Sequence, residues 1–127
     1  MSPEAKSPAL TFGKERRLTR PGEFLRVKTE GSAQRGSLLV LGLLAVPEST
    51  AFRAGFVTSK RIGGAVVRNR VRRRLREIVR QHQHEICPGF WIVSIARPPA
   101  ARATYRALAD EWLRLAKRAF IIAPSCS

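Results

Sequence analysis

The chain of 127 residues carries 24 Lys and Arg against 9 Asp and Glu, a formal net charge of +15 at pH 7 and a pI of about 11.7. Its length suits one domain, and at 44% hydrophobic residues it can bury a core, which excludes a disordered basic tail. So much like charge on a small domain is self-repulsive and calls for a polyanionic partner; Arg outnumbers Lys by 19 to 5, and the guanidinium fork that grips phosphate and stacks on bases favours nucleic acid.

Residues 1–10 are rich in Ser, Pro and Ala and read as a disordered extension, in which Pro3, Glu4 and Pro8 interrupt any secretory signal. Residues 11–123 read as a single domain and 124–127 as a loose tail. A short helix is predicted over 19–31, with Pro21 in its first turn, Thr19 or Arg20 as its cap and Gly31 at its stop. Phe24 and Val27 share one of its faces. A short strand within 32–37 stays an open alternative. Residues 38–46 form an apolar run too short for a membrane helix, which needs about 20 residues, and read as a buried strand. After a turn at 47–50, a second strand is predicted over 53–59. The short connection predicts that these two strands are antiparallel neighbours.

Gly63 and Gly64 break the chain. A long helix follows over 65–82, its apolar stripe formed by Val67, Val71, Leu75, Ile78 and Val79 at helical spacing. A turn at Pro88 and Gly89 leads to a third buried strand over 90–96, ended by Pro98 and Pro99. Ala103 or Thr104 opens a last helix to about Phe120, with Tyr105, Leu108, Trp112, Leu115 and Ala119 on one side. This order is an α+β sandwich, helices over a small sheet.

The charge is concentrated. Residues 60–80 hold nine of the 24 basic residues and one acid, Glu77, and so contribute +8 of the +15. At 100° per residue, Asn69, Arg72, Arg73, Arg76 and Arg80 fall in one polar sector opposite the apolar stripe, flanked by Arg68, Arg70 and Arg74. Arginines at i and i+4 repel one another, and Glu is nearly absent between them, so the row is expected to meet a negative partner. Before it, Lys60 and Arg61 stand beside Gly63 and Gly64 at a helix N-terminus, where small residues let a phosphate approach free N–H groups.

The run Ser59-Lys60-Arg61-Ile62-Gly63-Gly64-Ala65-Val66-Val67-Arg68-Asn69-Arg70-Val71-Arg72-Arg73-Arg74-Leu75-Arg76 resembles the signature of the bacterial ribonuclease P protein component: an Arg-Asn-Arg triplet with further basic residues on a helix, after a strand ending in Ser-Lys. Arg17-Leu18 followed by Phe24, Ile95-Ala96-Arg97-Pro98, and the stretch from Tyr105 to Lys117 agree with it, so the likeness covers residues 16–118. It implies a compact αβββαβα sandwich shared with part of a small-subunit ribosomal protein, with a left-handed βαβ crossover against the roughly 98% right-handed norm. It also implies the protein subunit of an RNA-based endonuclease that removes the 5′ leader of precursor tRNA. The catalytic centre and its Mg²⁺ would lie mainly in the RNA subunit, leaving no catalytic residue in the protein. On this likeness Lys60, Arg61, Arg68, Asn69, Arg70, Arg72, Arg73 and Arg76 would contact RNA, while Phe24 would stack on an unpaired leader base or serve as a core residue. Lys28 stands where the family often has an aromatic residue, and it would hold a leader phosphate. The implied partners are the catalytic RNA and the precursor tRNA leader, with no membrane and no obligate protein partner.

Other candidates weigh less. His82, His84 and Cys87 lie close in sequence without a fourth zinc ligand nearby. The acids are scattered; only Asp110 and Glu111 are adjacent, and both are expected on the exposed side of the last helix. Trp91 and Trp112 read as core residues. Cys126 sits in the tail, so a structural disulfide with Cys87 is not expected, and a reduced, cytoplasmic protein is the simpler reading. The rival functions are a non-catalytic ribosomal or RNA-assembly protein, and a DNA-compacting protein.

Overall fold

The computed structural model describes residues 17–48 and 51–122; the expected extension at 1–10 and the tail at 124–127 lie outside them. The elements are α1 (Pro21–Glu30), β1 (Ser32–Arg35), β2 (Leu39–Ala45), β3 (Arg53–Val57), α2 (Ala65–Gln81), β4 (Phe90–Ala96) and α3 (Tyr105–Arg118). Two 3₁₀ turns, Lys60–Ile62 and Pro98–Ala101, precede α2 and α3. This is the expected αβββαβα order, and β1 occupies the stretch that the sequence left open.

Local chemistry explains the helix ends. Arg20, not Thr19, is the N-cap of α1, and the Glu23 carboxylate accepts from both the Thr19 N–H at 3.0 Å and the Arg20 N–H at 3.1 Å. Gly63 adopts φ 152°, open to glycine and strained for other residues, where the chain swings from the first 3₁₀ turn into α2. Thr104 caps α3 by accepting from the Ala107 N–H at 3.1 Å.

The sheet runs β1-β2-β4-β3. The expectation that the strands at 38–46 and 53–59 pair is therefore corrected: β4 lies between them, antiparallel to β2 and parallel to β3. Burial accounts for this. Ile92, Val93 and Ser94 of β4 are buried in succession, so both faces of that strand are covered, which suits a strand in the middle of the sheet. Skipping one strand position spans about 10 Å, which a short connection crosses easily.

Alternation along the strands makes two cores. Leu39, Leu41, Leu43 and Ile92 face α2 and α3, meeting Val71, Leu75, Ile78, Leu108, Trp112 and Leu115. Leu44 and Val93 face the other way, toward Val27 of α1 and Leu18. The Trp112 indole N–H donates to the Ser94 hydroxyl at 3.1 Å, which satisfies the one polar side chain inside β4.

Three further expectations change. Glu111 is buried, not on the exposed side of α3. Its carboxylate accepts from the N–H groups of Leu38 and Leu39, both at 2.7 Å, from the Ser37 hydroxyl and from Arg114. The bend between β1 and β2 leaves those N–H groups pointing at α3, and a charged acceptor is tolerated there because several donors surround it. Gly36 makes room for it, since a Cβ there would lie 2.4 Å from a Glu111 oxygen. Trp91 is half-buried on the α1 face and not inside the core, with the Arg26 and Arg53 guanidinium carbons 5.3 and 5.5 Å from its ring centre. Cys87 is disulfide-bonded, against the expected free thiol. The neighbouring Ile86↔Ile122 bridge and the Cys87 N–H to Ile121 carbonyl bond bring the chain end beside it; Cys126 lies outside the described residues.

Candidate nucleic-acid interface

α2 is held on the sheet by Val71, Leu75, Ile78 and Val79, all buried, so its remaining sides are fixed in direction. Its arginines then sort into two groups according to what lies beside them. Arg70 and Arg74 lean toward the chain leading into α3, donating to the carbonyls of Ala101 and Ala103, each at 3.0 Å. Arg72 leans the other way, toward the edge strand β3, and donates to the Thr58 hydroxyl at 2.6 Å and to the Asn69 side-chain oxygen at 2.9 Å. At the far end Arg80 pairs with Glu77, whose carboxyl is held below its ordinary range chiefly by that hydrogen bond, against the opposing effect of burial.

The rest of the row is uncommitted. Lys60, Arg61 and Arg73 are exposed, and among the described residues their side chains make no hydrogen bond or ion pair. Arg68 and Arg76 are half-buried, and the Nε of each is enclosed without a hydrogen-bond partner. The guanidinium of Arg76 is held below its ordinary pKa by burial first, then by the neighbouring charges of Arg17 and Arg72. It remains a cation at any physiological pH, so Arg76 is a desolvated charge beside like charges. An anion placed against Arg72 and Arg76 would relieve that repulsion.

Of the eight sequence-predicted contacts, the structure thus brings Arg68, Asn69, Arg72 and Arg76 together on the β3 side, sets Lys60 and Arg61 on the turn before the helix, and points Arg73 outward. Arg70 is turned away from that group. The other two predicted residues lie on α1. The Phe24 ring rests on the backbone of β3, and a Cβ on Gly55 would lie 2.5 Å from a ring carbon. Phe24 is half-buried overall, so it is both a packing residue and a partly open aromatic surface. Lys28, one turn on, is exposed. Beside them Val57 and Ile95 are half-buried, so α1 leaves part of that sheet face uncovered.

Sequence reasoning missed Arg53. It pairs with Glu23 at 2.6 Å, donates to the Arg17 carbonyl at 2.7 Å and lies by Trp91, fixing the start of α1 against β3. Nothing in its local pattern marked it, because all three partners are remote in sequence. His82 stacks on Trp112 and meets Glu85 at 3.3 Å. Among the described residues no group of three or more His, Cys, Asp or Glu comes together as a metal site, and no helix is long and apolar enough to cross a membrane.

Comparison with known proteins agrees with this geometry. The ribonuclease P family model matches residues 12–120. The ribonuclease P protein component of Exiguobacterium sibiricum is 39% identical over 105 residues, covering 83% of this chain and 90% of that protein. That of Roseiflexus castenholzii is 42% identical over 108 residues, covering 84% and 87%. Among solved structures, the RNase P protein of Staphylococcus aureus superposes with a TM-score of 0.79 at 28% identity, covering 84% of this chain and 97% of that one. The RNase P protein of Thermotoga maritima gives 0.73 at 29% identity, covering 80% and 96%.

Proposed function

This chain belongs to the ribonuclease P protein family, and from that premise we propose that it is the protein subunit of an RNA-based endonuclease that removes the 5′ leader of precursor tRNA. The observation that carries the reading is the uncommitted cationic side of α2: Arg68, Arg73 and Arg76, with Lys60 and Arg61 before them, stand on a rigidly backed helix with no internal acceptor. Rigid backing matters because a phosphate contact gains most when the cation is already oriented. In this reading those residues, with Asn69 and Arg72, grip the catalytic RNA, and Arg70 acts mainly by holding the loop before α3.

The uncovered sheet face beside α1 takes the leader. Phe24 offers a ring edge to an unpaired base, and Lys28 a charge to a leader phosphate. The cleavage centre lies in the RNA. The chemistry that Mg²⁺ supplies, activation of water and stabilisation of the leaving oxygen, would belong to that subunit. The protein acts by binding and orienting the two RNAs, and it works in the cytoplasm beside its substrate.

Reconstitution tests this. The full chain mixed with catalytic RNA and precursor tRNA at low Mg²⁺ is expected to speed 5′ cleavage and to favour leader-bearing over mature tRNA. No gain in cleavage and no such preference would overturn it.

A further inference from the structure

A pocket of about 460 Å³ opens between the two 3₁₀ turns, lined by Arg61, Ile62, Pro98, Pro99, Ala101 and Arg102. Ile62, the two prolines and Ala101 form an apolar floor. Arg61 and Arg102 flank it, exposed, their side chains without a hydrogen bond or ion pair among the described residues. No acidic residue lines it. Its walls are tied in place: Arg97 donates to the Gly36 carbonyl at 2.7 Å before the prolines, and Arg70 donates to the Ala101 carbonyl at 3.0 Å after them. The Arg70 of the Arg-Asn-Arg triplet therefore spends its guanidinium on the pocket wall.

We propose that this pocket holds a single unpaired nucleotide of the RNA bound along α2, its base against Pro98, Pro99 and Ile62 and its phosphate between Arg61 and Arg102, with Arg70 as a positioning residue. The inference rests on the RNA-binding reading above. The volume lies at the lower end of the usual range for small-ligand sites, about 300–1,000 Å³, which suits one nucleotide and not a helix. Paired bases hide their faces within the stack, whereas an extruded base offers a flat apolar face together with a phosphate, the combination this lining complements. Arg61 belongs to the turn that leads into α2, so RNA lying on the outward cations of that helix passes the mouth of the pocket.

Dimethyl sulfate footprinting of the catalytic RNA with the full chain tests it, with affinity measured on the same samples. The wild-type chain is expected to protect one or two unpaired nucleotides that become reactive with Arg102→Ala, alongside an affinity about tenfold weaker. Arg70→Lys keeps the charge but loses the planar fork, and it is expected to expose those same nucleotides, which a merely structural loss would not single out. Lys117→Ala, an equal loss of charge on the last turn of α3, is expected to leave the footprint intact. An Arg102→Ala footprint identical to wild type would leave this face to a protein partner and overturn the inference while the RNA-binding reading stands. Weakening spread evenly along the footprint would reduce Arg102 to general charge and also overturn it. No wild-type protection at all would overturn the inference and the reading beneath it together.

Discussion

The two flanks of α2 are built from the same residue type and do different work. On the flank toward α3, Arg70 and Arg74 each find a backbone carbonyl and act as clamps. Toward β3 and outward, Arg72 alone finds acceptors, in Thr58 and Asn69, while Arg68, Arg73 and Arg76 find none, and Arg76 is held among like charges. A guanidinium that has an internal acceptor stabilises the fold; one that lacks it costs stability until a partner supplies the anion. The density of positive charge is therefore a poor guide to which arginines bind RNA, and the acceptor beside each one is a better guide.

The largest expected effect tests the uncommitted flank as a whole. If it engages about six phosphates, affinity for the catalytic RNA falls by about 10²–10³ between 50 and 200 mM salt. Filter binding across that range checks it, and a flat salt dependence would break the comparison. Next, the pair Arg68→Ala with Arg76→Ala is expected to weaken RNA binding at least tenfold, on the order of 1.4 kcal/mol, with the melting temperature unchanged or raised. The pair Arg70→Ala with Arg74→Ala is expected to lower the melting temperature by several degrees, on the order of 1 kcal/mol, because hydrogen bonds from charged donors to backbone carbonyls are lost. Calorimetry and mobility-shift titration on wild type and the two double variants separate the flanks, and identical behaviour of the two pairs would erase the distinction.

Phe24→Ala sharpens the contrast on α1. It is expected to weaken binding of leader-bearing precursor relative to mature tRNA, by about 1–3 kcal/mol if the ring stacks on a base. An equal loss for both tRNAs would make Phe24 a packing residue alone. The smallest effect concerns Glu23, which, like Arg70, is committed internally. Burial pushes its carboxyl up, but hydrogen bonds from Arg20, Arg53 and Thr19 together hold it below its ordinary value of 4.5. A depressed carboxyl adds stability above that value and loses it as pH falls through the folded pKa. The melting-temperature gap between wild type and Glu23→Gln is thus expected to be full at neutral pH and to close as pH drops below 4.5. A gap independent of pH would remove Glu23 from the committed class.

Much of this was legible from residues alone. The helix over 65–81, the strand over 90–96, the Pro21 start and the Thr104 cap follow from periods and capping chemistry acting within a few residues. The pairing of β2 with β4 was not legible, because strand neighbours are chosen by contacts between segments remote in sequence. Glu111 misled for a related reason. Its helix position suggested solvent, yet the donors that draw it in sit on a bend more than seventy residues away in sequence. Trp91 looked like core because its strand is apolar, but its place in β4 sets it under α1, whose Arg26 covers the ring in place of an apolar side chain.

By itself the sequence determined the α+β order, the amphipathic basic helix and the family signature that it carries, since each is written in spacing along one segment. Only the tertiary structure decided which arginines are spent. Ala101, Ala103 and Thr58 reach α2 from elements 14 to 31 residues away, and their oxygens divide the committed cations from those left facing outward. Helical period sets the direction of a side chain, whereas the acceptor waiting in that direction is supplied by the fold.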